Sequence, residues 1–277
     1  MKLKKFRFAN LYLVSVFALL YLPIFYLIFY AFNDGGSMTS FTGFTWDNFA
    51  AVFADSRLII ILLDTFKLAF LSALIATVIG TLGAMGIYYA KKRQQRNLLL
   101  SLNNILLVSP DVIIGASFLI LFTMLGFTLG FGSVLMSHVA FSIPIVVLMV
   151  LPRLREMNDS MVDAARDLGA NYWQVIQKII LPFLTPGIIA GYFMAFTYSL
   201  DDFAVTFFVT GNGFTTLSVE IYSRARQGIS LEINALSALV FLFSLILVVG
   251  YYFISKDNLS RKQKRAKKVQ KEVANLL

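Results

Sequence analysis

Six stretches of this chain are long and apolar enough to cross a lipid bilayer: about residues 9–32, 65–90, 98–127, 131–151, 183–203 and 235–255. A span needs about 20 predominantly apolar residues to cover a hydrocarbon core of about 30 Å. The runs predict an all-α membrane protein with six transmembrane helices. Composition agrees. Of the 277 residues, 58% are hydrophobic and only 14% are charged, whereas a soluble domain carries about a quarter charged residues. Mean hydropathy is +0.76. So little polar surface cannot cover a globule, and lipid must solvate much of the chain. The first run follows Lys2, Lys4, Lys5 and Arg7, which resembles the start of a signal peptide. Its uncharged stretch is too long for a signal core and lacks a small-residue cleavage site, so it reads as a retained anchor.

Orientation follows from the basic residues. The N-terminus, the 91–96 turn and the 152–182 loop hold four Lys or Arg each, and the tail from Lys256 onward holds eight, which is 20 of the 24 in the chain. The positive-inside rule therefore places both termini and the 152–182 loop in the cytoplasm. The net charge of +9 is explained by the same distribution. The basic tail 256–277 reads as an orientation signal beside anionic lipid, not as a nucleic-acid arm. Residues 33–64 and about 204–234 become the long external segments. Trp46, in the first of them, reads either as an aromatic-belt residue or as a contact for arriving substrate or a docked binding protein. A helix is expected near 215–227. No fixed-period repeat or low-complexity linker divides the chain, so residues 1–277 read as a single transmembrane domain.

The second run carries small residues every four positions. One stripe is Ser72, Ala76, Gly80 and Ala84, and a second is Ala69, Ala73, Thr77 and Thr81. Small residues at that spacing let helices approach closely in lipid, which predicts a tightly packed central helix.

Several chemistries are excluded by what the sequence lacks. There is no cysteine, which removes disulfides, thiolate catalysis and cysteine metal sites. No Gly-x4-Gly-Lys-Ser/Thr loop, His-Glu-x-x-His or Gly-x-Ser-x-Gly string occurs. The chain is therefore expected to be no enzyme, to hold no metal and to bind no cofactor. Any ATP must act on another polypeptide. The lone histidine, His138, reads as a packed residue with one satisfied hydrogen bond.

The 152–182 loop has its own architecture. Ser160-Met-Val-Asp163 has capping-box form, Ala164 and Ala165 are strong helix formers without bulk, and Gly169 can adopt the left-handed conformation that ends a helix. A second helix is expected over 171–180, and Pro182 and Pro186 suit the first turn of the fifth span. Two short helices joined at a glycine, with one apolar face, either lie on the membrane or enter a partner's groove.

The loop reads Asp163-Ala-Ala165, three residues, Gly169, nine residues, Ile179-Ile-Leu181-Pro182. In every spacing it resembles the coupling loop of ABC-importer permeases, with Asp163 in place of the usual Glu. Residues 60–255 resemble the polyamine branch of that class, especially the second permease of spermidine/putrescine systems. The strings carrying this are Val108-Ser-Pro-Asp-Val112, Thr197-Tyr-Ser-Leu-Asp-Asp202, Phe208-Val-Thr-Gly211 and Ser230-Leu-Glu-Ile-Asn-Ala-Leu236. The resemblance implies a type I importer permease (MetI-like) fold with a cytoplasmic coupling helix. It implies a bacterial cell membrane and a second permease subunit forming a heterodimer. It also implies two ATPase subunits that carry ATP and Mg, and an extracellular or periplasmic polyamine-binding protein. Asp163, Ala164, Ala165, Gly169, Ile179, Leu181 and Pro182 would then form the contact with the ATPases.

Ionisable groups within spans are costly and mark function. Asp111 lies in the third run just after Pro110, and Asp201 and Asp202 end the fifth. None has a base close in sequence, which suits a cationic substrate, with Tyr198 and Phe203 adding cation–π contacts. Asp201 and Asp202 could also simply mark the membrane boundary. Asp64 is expected to be a surface cap or to pair with Lys67, Glu220 to pair with Arg224 at helical spacing, and Glu232 to cap the last span. Three other readings stay open: a permease for another cation or small organic solute, a membrane enzyme using Asp111 and Asp201/Asp202, and a passive channel.

Overall fold

The computed structural model describes residues 2–228 and 230–246, and all of its named elements are helical. In chain order they are α1 (Lys2–Tyr30), α2 (Asp47–Ala54), α3 (Ser56–Tyr88), α4 (Arg93–Val108), α5 (Asp111–Met124), α6 (Phe131–Glu156) and α7 (Asp159–Asp167). Then follow α8 (Tyr172–Val175), a π turn (Ile176–Ile180), α9 (Leu181–Asp201), α10 (Ala204–Val209), α11 (Leu217–Gln227) and α12 (Leu231–Ile246). Helices satisfy their own backbone, which is what hydrocarbon demands. Among the described residues, four helices are long and apolar enough to cross a membrane, or five if the bent pair α4–α5 is one span. The sixth expected span is described only to Ile246. Its remainder and the basic tail 256–277 lie outside the described residues.

The expected spans shift in three places. The second begins at Ser56 rather than 65, because the apolar run Leu58–Leu63 continues the helix past Asp64. The third is two helices bent by 106°. Pro110 has no N–H to donate and disfavours helix in the residue before it, so the chain turns at Ser109-Pro110 and restarts at Asp111. The fifth begins at Tyr172 and runs to Asp201 without a break. Its expected helix boundary at Pro182 is replaced by the π turn just before it, a wider turn that accommodates a proline inside a continuing helix.

The chain forms two compact units, Ser56–Ser223 and Met1–Asp55 with Arg224–Leu277. In the first, α3, α6 and α9 pack on one another, and α10 packs on α5 and α6. Both small-residue stripes of α3 are buried. A Cβ on Gly80 would sit 2.7 Å from Val146 Cβ on α6, and a Cβ on Gly191 of α9 would sit 3.3 Å from the Val146 backbone. Three helices thus meet at nearly van der Waals backbone distance around Val146, as the four-residue period predicts. A second apolar cluster joins Leu68, Ile114, Phe141, Val205 and Val209.

In the other unit, Asn33 is fully buried and organises the loop after α1. Its side-chain amide donates to the Ser37 and Ser40 carbonyls at 2.8 Å, and its oxygen accepts from the Thr42 N–H at 2.9 Å. α1 is exposed along its apolar length.

Candidate functional site

The three acids singled out from the sequence all belong to the Ser56–Ser223 unit, but they differ in environment. Asp111 is the first residue of α5, freed by the Pro110 turn, and it is exposed. The Tyr198 hydroxyl, from α9, donates to its Oδ1 at 2.9 Å. The Tyr198 ring stands edge-on to Phe141 at 5.1 Å. Asp201 closes α9 and is exposed. It lies three residues beyond Tyr198, which puts the two on one helix face. Tyr198 thus links α9 to Asp111 of α5, with Asp201 one turn beyond it on α9.

Asp202 departs from the expectation of an acid without a base. Its side chain is only 6% exposed, and His138 Nε2, from α6, lies 3.4 Å from its Oδ2. Asp202 Oδ2 also accepts from the Thr206 N–H at 2.8 Å and from the Thr206 hydroxyl at 2.7 Å. The Ser218 hydroxyl donates to the Asp202 carbonyl at 2.6 Å. These partners lie up to 64 residues away in sequence, which is why a local search for bases missed them. The Phe203 ring lies tilted against Tyr222, with centroids 4.4 Å apart.

His138 is fully buried and makes two side-chain hydrogen bonds rather than one: Nδ1 with Ser199 Oγ at 2.7 Å and Nε2 with Thr206 Oγ1 at 2.8 Å. Ser199 Oγ in turn meets Ser72 Oγ at 2.9 Å. One imidazole thus ties α6 to α9 and α10, and through Ser199 to α3. A lone histidine in an apolar span was the only sequence signal of this network.

Other charged groups have partners of their own. Lys67 does not reach Asp64; its ammonium lies over the Phe131 ring, 5.2 Å from the centroid. Asp64 instead lines an open cavity of about 610 Å³ between α3 and residues 211–215. Glu220, 8% exposed in its side chain, meets Arg57 at 3.1 Å. Arg224 meets Asp55 at 3.0 Å and Glu232 at 3.7 Å. Trp46 belongs to the other unit. It is 61% exposed and packs among Phe32, Phe44 and Phe49 with ring centroids 5.0–5.8 Å away.

At the opposite end of α9, the 152–182 loop forms a helical hairpin. Ser160 is not the cap of α7: Asn158 is, and its side chain accepts from the Ser160 N–H at 3.1 Å. Gly169 adopts φ +82°. The Gly169 N–H donates to the Arg166 carbonyl at 2.8 Å, and the Ala170 N–H to the Ala165 carbonyl at 3.0 Å. This pair of bonds is the Schellman ending, which needs a left-handed residue at that position. Asn171 then caps α8 by exchanging hydrogen bonds with Gln174.

The hairpin has two apolar faces, not one. Val162, Ala165, Ala170 and Ile176 pack against the α3–α6–α9 core. Leu168, Tyr172 and Trp173 face outward, 89%, 66% and 68% exposed. Asp163, Ala164 and Pro182 are exposed; Ile179 and Leu181 are half-buried.

These features have close parallels among known proteins. Residues 83–265 match the family described as binding-protein-dependent transport system inner membrane component. The spermidine/putrescine transport system permease protein PotC of Haemophilus influenzae is 34% identical over 256 residues, covering 92% of this chain and 99% of the relative. PotC of Escherichia coli is 35% identical over 89% of this chain and 93% of its own. The putrescine transport system permease protein PotI of Escherichia coli is 34% identical over 81% of this chain and 82% of its own.

Among solved structures, a chain of a bacterial ABC transporter that imports the acidic polysaccharide alginate superposes with a TM-score of 0.73 at 18% identity, covering 92% of this chain and 96% of that one. A chain of the MetNI methionine ABC transporter does so with a TM-score of 0.59 at 19% identity, covering 72% and 97%. The helical core, with its broken third span and its hairpin before α9, is thus the permease fold of ABC importers. On both family and fold, the chain belongs to the binding-protein-dependent transport system inner membrane components and is a permease subunit.

Proposed function

We propose that this permease imports polyamines, spermidine or putrescine, as half of the translocation path of an ATP-driven importer. Supporting this is the Tyr198–Asp111 pair that links α9 to α5, with Asp201 one turn further along α9, in a chain about 35% identical to spermidine/putrescine permeases. Moving an ammonium into a low-dielectric region costs several kcal/mol unless negative charge offsets it. Two exposed carboxylates, with a phenol to orient one of them, supply that offset for an alkyl chain carrying more than one ammonium. Asp202 contributes charge from behind this face. Trp46 acts at the external membrane interface.

The partners are a second permease, two ATPase subunits that bind ATP and Mg, and an external binding protein that delivers the polyamine. The ATPases engage the hairpin through Asp163, Ala164, Gly169 and the exposed Leu168, Tyr172 and Trp173, while Ala165, Ile179, Leu181 and Pro182 fix its angle to α9. Both termini and the hairpin lie in the cytoplasm, in accord with the basic residues. This chain itself has no catalytic role and holds no cofactor.

The deciding experiment reconstitutes the full complex in proteoliposomes and measures ATP-dependent uptake of labelled putrescine and spermidine. Competition by neutral and anionic solutes is measured alongside. Uptake that amines do not inhibit, or that an Asp111→Asn/Asp201→Asn double variant leaves undiminished, would sink the polyamine reading.

A further inference from the structure

The hydrogen bonds around His138 constrain its protons. Thr206 has one hydroxyl proton, and its Oγ1 lies 2.7 Å from Asp202 Oδ2. A carboxylate only accepts, so that proton goes to Asp202. Thr206 Oγ1 must then accept from His138 Nε2, 2.8 Å away, and Nε2 carries a proton whether the ring is neutral or charged. At the other end, Nδ1 meets Ser199 Oγ, and Ser199 meets Ser72 Oγ, which is itself 3.2 Å from the Ala69 carbonyl. With a neutral ring, Ser72 donates to Ser199 and Ser199 donates to Nδ1. With an imidazolium, Nδ1 donates to Ser199, Ser199 to Ser72, and Ser72 to the Ala69 carbonyl. Turning two hydroxyls accommodates the extra proton, and no link between His138, Ser199 and Ser72 is lost.

The surroundings decide what that proton does. From α6 the ring meets Phe141 at 4.8 Å, from α9 Ser199, from α10 Thr206, and from the α9–α10 junction Asp202. Among the described residues, Asp202 is the only charged group within 4.0 Å of the imidazole. Beyond Phe141 stands Tyr198, and beyond that Asp111. A proton on His138 therefore cancels the charge of Asp202 directly behind the exposed acids.

We propose that His138 is the positioning residue of the acidic junction and sets its charge: through Thr206 it holds Asp202 as an internal counter-charge behind Asp111, Tyr198 and Asp201, and by taking up a proton it lowers the attraction of the junction for a cation. This rests on the reading of those acids as a cation path. The junction is therefore most negative while the imidazole is neutral and loses charge when the ring takes up a proton.

Two measurements test the proposal on the assembled complex. The first is putrescine uptake at saturating loaded binding protein from pH 8 to 5.5, with His138→Gln expressed as a ratio to the unsubstituted complex. The unsubstituted rate carries the extra acid-side loss, so the ratio should rise at least threefold on acidification. A constant ratio overturns the proposal. Should His138→Gln fail to assemble, Asp202→Asn replaces it. A buried imidazole without its counter-charge resists protonation, so the same rise is expected, and a constant ratio again overturns the proposal.

The second measurement uses the fact that His138 is the only histidine of the chain. Its resonance is isolated in histidine-labelled complex by difference against His138→Gln, or against Asp202→Asn should that variant not assemble. It should show the Nε2–H tautomer at pH 8, and acidification should convert it to the imidazolium in the unsubstituted complex but not in Asp202→Asn. An Nδ1–H tautomer, or an imidazolium that forms equally in both, overturns the proposal. A complex that imports no putrescine at any pH would refute the polyamine reading instead, and the resonance would still judge His138.

Discussion

Replacing Gly169 isolates the hairpin's backbone from its packing. Gly169 sits at φ +82°, and a Cβ added there would meet nothing within 4 Å. A side chain at this position therefore costs conformational energy alone. For an L-residue the left-handed region costs about 1–2 kcal/mol, with a β-branched residue at the upper end. That shifts the balance between the native turn and its alternatives by a factor of about 5–30. The alternatives lose the Gly169-to-Arg166 and Ala170-to-Ala165 hydrogen bonds and swing α7 away from α8, so Leu168, Tyr172 and Trp173 no longer present one surface. Asparagine tolerates the same conformation with little strain.

The expected order is thus Gly169 ≈ Gly169→Asn, then Gly169→Ala, then Gly169→Val. Membrane insertion should be unchanged across the series, because no apolar contact is touched. Co-purification with the ATPase subunits, and transport per ATP hydrolysed in proteoliposomes, should both fall along it. If valine retained the coupling ratio and ATPase yield of glycine, the hairpin would not depend on this turn and the coupling reading would be wrong.

Four further outcomes are expected. Ala164→Asp, on the exposed side of α7, should insert normally yet lose ATPase co-purification, whereas Ala165→Asp should also lower thermal stability because Ala165 packs on the helical core. Asp111→Asn and Asp201→Asn should each cut polyamine uptake about tenfold, equivalent to ~1.4 kcal/mol of lost attraction, with assembly intact; undiminished uptake would make these carboxylates structural. Gly80→Ala places a Cβ 2.7 Å from Val146 Cβ, whereas a Cβ on Gly86 meets nothing within 4 Å. The first should lower the melting temperature of the detergent-solubilised protein through ~1–3 kcal/mol of overpacking, the second should not, and equal melting temperatures would contradict the close packing of α3 on α6. On this cysteine-free background, Asn212→Cys should react with an impermeant thiol reagent from outside and Asn171→Cys should not; the reverse pattern would invert the topology.

What the sequence disclosed and what it hid divide along chain separation. The four-residue stripe on α3 announced a close helix contact because small side chains at one period leave little else for that face to do. Gly169 announced a helix ending because a left-handed residue is needed there and glycine adopts it freely. Pro110 breaks the run 98–127 because it cannot continue the helix, and the size of the break, 106°, depends on what α5 packs against, namely α10. His138 was the opposite case. Its partners Ser199 and Thr206 lie 61 and 68 residues away, and serine or threonine in a span bonds just as readily to its own helix, as Thr197 does to Phe193. Nothing local distinguishes the two uses. The cap of α7 failed for a smaller reason: Asn158 and Ser160 are both good caps, and packing of α7 on the core decided between them.

One helix carries both ends of the proposed machinery. From Tyr172 to Asp201 the chain is helical for 30 residues, about 45 Å at ~1.5 Å per residue. The hairpin that would meet the ATPases joins it at Tyr172, and the acidic junction joins it at Tyr198 and Asp201. Between them, a Cβ on Gly187 would sit 3.0 Å from the Met149 carbonyl of α6, and one on Gly191 would crowd Val146. Interfaces this close lack side chains to deform, and packed cores shift between discrete arrangements rather than yielding continuously. A displacement of α9 would therefore reach Asp201 as motion of a rigid rod against α6. The one softer segment is the π turn at Ile176–Ile180, which lies between hairpin and membrane span. His138 and Phe141 stand on α6, the helix against which that rod slides, and His138 holds its far end through Ser199 and Thr206. Relative movement of α6 and α9 must stretch or exchange the His138–Ser199 hydrogen bond, so the group proposed to set the charge of the junction also bears the mechanical load delivered to it.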